Sequence, residues 1–381
     1  MKDTDHVSFR KGKLKMKNKA LIAAVAFMMA FTCASCGKKE DDSSKADSKA
    51  KETPAETVVT TDEETVETTA EETVETTDQE TTENPLGTTA DINDFIDTKE
   101  IDPPMWKVTD PESGNSMYLL GTIHVLPADA SDYPADLMDI YNSCDSIAVE
   151  FDVTALQSDI NAQMEYVSGM TYSDGTTVKD HISEETYNKA KDYFTKIGAY
   201  NEMLDQYRAG YWINQLTVVM LMRLENLELS GTDSYFVAKA KEDGKEVINI
   251  EDISMQTEAL TAYTDEYADY SINDLIDDID DIDGFAADFG ELFDKWAKGD
   301  GEISSETEED IAEIPEDLLD DHDAYNKALL DDRNQYMADK ASEYIKSGKN
   351  CLFMVGAAHY AGENGVDNLL EKMGFTVEKI G

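Results

Sequence analysis

Short apolar runs and amphipathic stretches alternate along the chain from about residue 105 to its C-terminal end. A short apolar run bounded by turn residues is typical of a buried strand. The first two runs flank the turn-forming stretch Asp110–Asn115, which predicts a β-hairpin. The pattern predicts strands at Trp106–Thr109, Met117–Leu120, Ser146–Asp152, Glu246–Glu251, Leu352–Val355 and Phe375–Ile380.

Apolar and aromatic residues recur at helical spacing in the middle of the chain, from Val153 to Leu229. Such faces normally pack into a core, so aromatic residues such as Trp212 are interpreted as core and not as a cofactor surface. A helical middle between two strand-rich ends predicts an α/β (α+β) fold with a central mixed sheet and a helical insertion. Further helices are predicted at Ala135–Tyr141, Asp323–Lys346 and Val366–Met373.

Two predicted strands end in the same motif, a Gly followed three residues later by a His. The two copies are Tyr118-Leu-Leu-Gly-Thr-Ile-His-Val125 and Cys351-Leu-Phe-Met-Val-Gly-Ala-Ala-His-Tyr360. Each copy continues through a loop and a helix to another strand. We expect these two strand-GxxH-helix-strand units to pack around a pseudo-twofold axis. Each His then lies at the C-terminal end of a strand, where α/β folds bind their ligands.

The two motif histidines, His124 and His359, are candidates for metal binding or acid–base chemistry. Neutral imidazole is the commonest protein metal ligand and the usual general base. The alternative for any single His is a structural role, but two in matching positions favour a shared site. The other histidines are His6, in the predicted signal, and His181 and His322, in polar contexts.

Three charged residues join these histidines as candidates. Glu150 ends an otherwise apolar strand, so its carboxylate is either buried with a partner or faces a cleft. With two histidines it would form a two-His, one-carboxylate metal site. Glu251 follows a second strand in the same way, as a general base or a supporting group. Arg333 either pairs with nearby Asp on a helix surface or holds a carboxylate or an oxyanion in a cleft.

The N-terminal segment has the pattern of an export signal. Basic residues precede the apolar run Leu21–Phe31, which is too short for a permanent membrane span. The run ends at Cys33-Ala-Ser-Cys36, which resembles a bacterial lipobox, although Cys33 stands where that pattern prefers Leu. Residues 1–36 are therefore predicted to be a lipoprotein signal peptide, with lipidation at Cys36 and a lipid-anchored, extracytoplasmic location. Ordinary cleavage without lipid is the alternative.

Acidic and Thr-rich sequence follows the signal, and its composition predicts a disordered linker over residues 37–98, before a folded body over residues 99–381. The formal net charge of −50 argues against nucleic acid as a partner. Cys144 and Cys351 adjoin apolar strands and are expected to be buried free thiols. The stretch Asp277–Asp283 is expected to be an acidic helix face, because its register misplaces the ligands of an EF-hand loop.

Six stretches of the body together resemble the TraB/GumN family, which also includes PrgY pheromone-shutdown proteins and the animal Tiki proteases. Two stretches depart from the family pattern. One is Ile250-Glu-Asp252, where the family pattern is similar to Leu-Glu-Thr, and the other is the acidic insert from Asn273. The stretches that carry the resemblance are Tyr118–Val125, Ala148-Val-Glu-Phe-Asp152, Gly231-Thr-Asp-Ser-Tyr-Phe236, Trp296-Ala-Lys-Gly-Asp300, Asp332-Arg-Asn334 and Phe353-Met-Val-Gly-Ala-Ala-His-Tyr-Ala-Gly-Glu-Asn-Gly-Val366.

The resemblance implies a domain related to the erythromycin-esterase and ChaN folds. Through the Tiki branch it implies a peptidase that depends on a divalent metal ion (Mn, Co or Zn). By motif, His124 and His359 would be metal or catalytic residues, Glu150 a ligand or acid–base group, and Arg333 a transition-state or structural partner.

Three functions are consistent with these patterns. The first is a surface-tethered, metal-dependent hydrolase, a peptidase, acting on a peptide or protein substrate. The second is a metal-independent, esterase-like hydrolase with a His as general base. The third is a lipoprotein that binds a peptide or a metal ion without turnover.

Overall fold

The computed structural model describes residues 86–156, 159–303 and 308–381. The predicted signal peptide, the lipidation site Cys36 and most of the predicted linker lie outside these residues. Within the described part of the chain, no helix is both long enough and apolar enough to cross a membrane.

The last residues of the predicted linker are packed against the body. Ala90–Asp91 pair in parallel with Leu224–Glu225, and Ile92 is fully buried in the core. Asp91 accepts from the backbone N–H of Asn93 and begins a 3-10 turn, Ile92–Asp94. Residues 90–94 of the predicted linker thus contact the body, and Ile92 is buried there in spite of its acidic surroundings.

A six-stranded mixed sheet forms the centre of the molecule, in the order β10-β2-β3-β9-β5-β8. The predicted hairpin is present, with β2 and β3 antiparallel, and β10 runs antiparallel to β2. From β3 through β9 and β5 to β8, neighbouring strands are parallel. The strands are β1 Ala90–Asp91, β2 Met105–Thr109, β3 Ser116–Thr122, β4 Leu126–Pro127, β5 Ser146–Val149, β6 Leu224–Glu225, β7 Leu227–Glu228, β8 Glu246–Asn249, β9 Cys351–Gly356 and β10 Thr376–Lys379.

Helices cover both faces of the sheet and fill the middle of the chain, which makes the fold mixed α/β as predicted. The α-helices are α1 Ala135–Ser143, α2 Val153–Leu156, α3 Ile160–Met170, α4 Glu184–Lys196, α5 Ala209–Leu221, α6 Thr232–Asp243, α7 Ile253–Leu260, α8 Asp265–Asp277, α9 Ile282–Ala297, α10 Glu308–Ala312, α11 Leu319–Asn326, α12 Asp332–Ser347 and α13 Val366–Lys372.

Alternation along the strands divides their side chains between two cores. On one face, Leu120 and Met354 pack with Leu137 of α1 and Phe236 of α6. The opposite face packs against α12 and α13, and its buried residues include Leu119, Phe353, Val355, Met337, Ile345 and Leu370. Strands buried on both faces explain the near-continuous apolar runs of β3, β5 and β9.

A third and larger core lies beyond the C-terminal ends of the parallel strands. It joins Ile123 and Val125, which follow β3, and Ala357, which follows β9, to the helices of the middle region. The indole Nε1 of Trp296 in α9 donates to the backbone O of Gly121 at 2.9 Å, which fixes this helical layer to the end of β3. A cleft remains between the strand ends and the helical layer.

Two predicted elements differ from the structure in detail. The single helix predicted over Asp323–Lys346 is interrupted by a π-helix, Lys327–Asp331, between α11 and α12. The loop predicted after Gly356 contains a 3-10 turn, Ala357–Tyr360. In the acidic stretch, Ile279 and Ile282 are buried, in keeping with an acidic helix face. Cys144 and Cys351 are buried free thiols.

Candidate functional site

Neighbouring parallel strands bring the two GxxH motifs together. β3 and β9 pair in register, with Thr122 opposite Gly356. His124 lies two residues beyond the first of these positions and His359 three residues beyond the second. Both imidazoles line one cleft with a cavity volume of about 110 Å³, and Glu150 and Arg333 line it too.

His124 is held by a carboxylate that comes from α6. Its Nδ1 lies 2.7 Å from Oδ2 of Asp233, and the other Asp233 oxygen accepts from the Thr122 hydroxyl at 2.6 Å. Burial lowers the pKa of His124, but the adjacent Asp233 carboxylate outweighs burial, and the pKa is raised overall. With Nδ1 engaged, Nε2 is the nitrogen available for chemistry.

His359 is held in the same way by an amide. Its Nδ1 lies 2.5 Å from the side-chain oxygen of Asn334, whose amide nitrogen donates to the backbone O of Asn364 at 3.0 Å. Because the amide nitrogen of Asn334 donates to Asn364, the side-chain oxygen of Asn334 faces His359 as an acceptor. Nδ1 of His359 therefore carries the proton, and Nε2 carries the lone pair. Burial lowers the pKa of His359 to about 3, with Arg333 acting in the same direction and Glu150 opposing it.

Glu150 lies between the two imidazoles. Its Oε1 accepts from the backbone N–H of Gly356 at 2.6 Å and lies 3.7 Å from Nε2 of His359. Its Oε2 accepts from Nη2 of Arg333 at 2.8 Å. Burial raises the pKa of Glu150, but His359, Arg333 and His124 together lower it to about 2. The carboxylate is therefore ionised under all ordinary conditions.

Gly356 lies where these three side chains meet. A Cβ atom built at this glycine would lie 3.2 Å from Oε1 of Glu150, 3.8 Å from Nε2 of His124 and 3.8 Å from Cδ2 of His359. Nε2 of His124 and Cδ2 of His359 each lie 3.8 Å from this one point, so these two atoms are at most twice 3.8 Å apart. One small ligand placed between the two rings could therefore contact both of them.

Arg333 connects the cleft to a buried carboxylate behind it. It donates from Nε and Nη2 to the two oxygens of Glu251, each at 2.8 Å, and from Nη1 to the backbone O of Leu329 at 3.0 Å. Glu251 is only 2 % exposed, also accepts from Gln256 and does not line the cleft. Burial raises the pKa of Glu251 although Arg333 opposes the rise. Glu251 thus holds Arg333, and Arg333 holds Glu150.

The donor chemistry of this site fits a divalent metal ion. Metal-bound imidazoles usually donate their second ring N–H to a carboxylate or carbonyl, which is the position of Asp233 and Asn334 here. The arrangement is nevertheless incomplete, because Gly356 and Arg333 engage both oxygens of Glu150. Across the residues that the structure describes, no group of three or more His, Cys, Asp or Glu is placed so that it could hold a metal ion.

Sequence reasoning missed Asp233 and Asn334, which orient the two imidazoles. Asp233 lies 109 positions from His124, so spacing alone does not pair them. A signal exists at Gly231, where a Cβ would lie 2.0 Å from the backbone O of Ile123 and 2.3 Å from the backbone carbon of His124. Only glycine lets the start of α6 pack this closely against the backbone of Ile123 and His124. This close packing brings Asp233 to the imidazole.

The family comparison spans the part of the chain that contains this site. The model of the TraB/PrgY/gumN family matches residues 104–379, which include all the residues described above, and the chain belongs to that family. Searches of curated proteins and of solved structures give no match.

Proposed function

We propose that this member of the TraB/PrgY/gumN family is a metal-dependent hydrolase that cleaves peptide bonds in the cleft between His124 and His359. One observation carries the proposal: two imidazoles, His359 buried and His124 half-buried, face the same glycine, each anchored through Nδ1 with Nε2 left for chemistry. The resemblance to the Tiki branch supports peptides as the substrate class.

His124, His359 and Glu150 would hold the ion, with Mn, Co or Zn as candidates. When bound, such an ion polarises a carbonyl and lowers the pKa of a water molecule. Asp233 and Asn334 fix the ring orientations. Glu150, whose pKa His359, Arg333 and His124 lower to about 2, stays ionised, which suits an ion ligand better than a proton acceptor.

Arg333 acts mainly by positioning Glu150. Its bonds to Glu251, Glu150 and Leu329 use four of its five N–H groups. At most one N–H remains for a substrate oxygen. Of the two roles that the sequence suggests, the cleft Arg that holds a carboxylate therefore has the stronger support.

A metal-independent hydrolase is the second candidate, and the opposite pKa shifts of the two histidines favour it. Burial keeps His359 neutral with a free lone pair on Nε2, which could accept a proton, and its pKa of about 3 makes it a weak base. His124 has a raised pKa, which suits a general acid. Environments that separate the pKa values of two neighbouring groups are typical of acid–base pairs.

We also propose that the chain consists of two related strand-GxxH-helix-strand units in an arrangement similar to the erythromycin-esterase and ChaN folds. The helix after the first motif, α1, and the helix after the second, α13, cover opposite faces of the sheet. A twofold axis parallel to the strands, between β3 and β9, would exchange the two faces while keeping these strands parallel. The closing strands do not follow this axis, because β5 lies next to β9 whereas β2 separates β10 from β3, so the proposed symmetry relates the two motifs and the helices after them.

For location, we propose that lipid at Cys36 tethers the folded body to the outer side of the cell membrane. Metabolic labelling with a clickable palmitate analogue tests the idea. The intact chain should be labelled and found in the membrane fraction. Cys36→Ser should be unlabelled, and label on that variant would contradict the proposal.

Turnover and metal content together test the function. The purified body, from residue 86 onward, is dialysed against a chelator, resupplied with Mn, Co or Zn, and incubated with a mixed peptide library. The metal-dependent proposal predicts cleavage that needs the ion. Cleavage that survives chelation favours the acid–base alternative. Peptide retention without cleavage under every metal favours a binding protein.

A further inference from the structure

The π-helix Lys327–Asp331 shapes one wall of the cleft. It places two successive leucines, Leu329 and Leu330, on the lining, and the backbone O of Leu329 accepts from Arg333. π-turns inside helices occur frequently at functional sites, because the extra residue changes the direction of the side chains around it. The same turn therefore positions both Arg333 and an apolar surface beside it.

Aliphatic side chains from several elements extend this wall around the polar centre. They come from the chain before α6, from α6 itself, from α7, from α9 and from the segment after α9. One of them, Leu229, is 37 % exposed, so the lining reaches the protein surface. These residues are Leu229, Val237, Leu260, Leu292 and Ile303.

The charged groups of the cleft lining are already paired with one another or with neighbours. An incoming charged side chain would lose its hydration without gaining a free counter-charge, which is unfavourable. An apolar side chain loses no hydrogen bonds there and gains contact with the leucines. The pairs are Glu150 with Arg333 at 2.8 Å, Asp152 with Lys241 at 2.6 Å and Asp233 with His124 at 2.7 Å.

We propose that the cleft takes a substrate with an apolar, uncharged side chain next to the bond that is cleaved, and that Leu330 is a specificity-determining residue for it. This inference rests on the proposed function. Leu330 is only partly buried, whereas Leu260 and Leu329 are each 4 % exposed and belong to core clusters. Leu330 packs against the core cluster that contains Leu329 but stays partly exposed, so it is the leucine of the π-helix that a substrate can contact.

Cleavage of a randomised peptide library, read by mass spectrometry, tests the preference. For the wild-type body supplied with metal ion, bonds flanked by Leu, Ile, Val or Met should dominate over bonds flanked by Asp, Glu or Lys. For Leu330→Ala, kcat/KM on the best apolar peptide should fall about tenfold or more, within the range for methylene groups lost from an apolar pocket. Leu330→Lys should lose the apolar preference and improve the relative cleavage of acidic peptides.

Leu369→Ala is the matched control. Leu369 is also a partly buried leucine, but it lies on α13 among core residues away from the cleft. Its variant should keep the wild-type preference even if it is less stable. Equal cleavage of apolar and charged peptides by the wild type, or an unchanged preference in Leu330→Ala, overturns the inference.

Failure of the proposed function gives a different result. If no peptide is cleaved under any metal ion, the same library is passed over immobilised protein and the retained peptides are sequenced. An apolar preference that Leu330→Ala abolishes then supports the ligand class in a binding protein. Retention without preference, or no retention, refutes the inference as well.

Discussion

Removal of the Arg333 guanidinium should reveal how strongly the site is held together. Arg333 is 8 % exposed and donates to Glu150 and Glu251, which are themselves largely buried. Arg333→Met would leave two carboxylates without their shared cation. Removing one partner of a buried ion pair typically costs about 3–5 kcal/mol, so we expect a loss of that size in the free energy of unfolding at pH 8.

The loss of unfolding free energy in Arg333→Met should be larger at high pH than at low pH. Burial raises the pKa of Glu251 even beside Arg333, and it should rise further without the guanidinium. A carboxyl whose folded pKa is raised favours the native state when protonated and destabilises it once pH rises through that pKa. Arg333→Met should therefore recover stability as pH falls from 8 to 5. At pH 8, adding Glu251→Leu should recover about 1 kcal/mol or more.

Urea unfolding followed by tryptophan fluorescence measures these changes, and Arg223→Met supplies the control. Arg223 is 2 % exposed, but its Nε donates to the backbone O of Thr88 at 2.9 Å and its Nη1 to the backbone O of Ile279. Its removal leaves no carboxylate unpaired, so its cost should not vary between pH 5 and 8. A pH-independent loss in Arg333→Met as well would refute the reasoning.

Three further predictions follow from single contacts. Asp233→Asn should keep the fold, measured by circular dichroism, but reduce metal affinity or kcat/KM about 10–100-fold, because His124 loses its anchoring carboxylate. Gly231→Ala should lower the free energy of unfolding by about 1–3 kcal/mol, measured by urea unfolding, because its Cβ would overlap the backbone of His124. Burial raises the pKa of Asp367 to about 6, so its ionised form costs stability above that pH. Asp367→Asn should stabilise the protein at pH 8 by about 1 kcal/mol, after allowance for its partial exposure, and not at pH 3, as parallel urea titrations would show.

The parts of the fold that repeat a strong local pattern were predictable from sequence. The apolar runs predicted the six strands of the central sheet to within three residues at each end, since strands buried on both faces need continuous apolar sequence. The rule that ligands lie at the C-terminal ends of parallel strands placed His124 and His359 together. That placement needed only the expectation that two matching strands would be neighbours.

Contacts between distant elements were not predictable in the same way. Asp233 and Asn334 reach the imidazoles through packing of α6 and α12, and no local pattern encodes those distances. Glu251 was grouped with Glu150 because both follow apolar strands, yet the structure turns Glu251 toward Arg333 and away from the cleft. The π-helix Lys327–Asp331 before Arg333 adds one residue to the helical turn, and a periodic sequence pattern does not reveal such an addition.

The metal content of the purified body is a direct test of whether His124 and His359 bind a metal ion. Wild-type protein and the His124→Ala, His359→Ala double variant are loaded with Mn, Co or Zn, desalted and analysed by inductively coupled plasma mass spectrometry. We expect close to one ion per wild-type chain and none in the double variant, with both proteins folded. Equal metal content in the two proteins would contradict it.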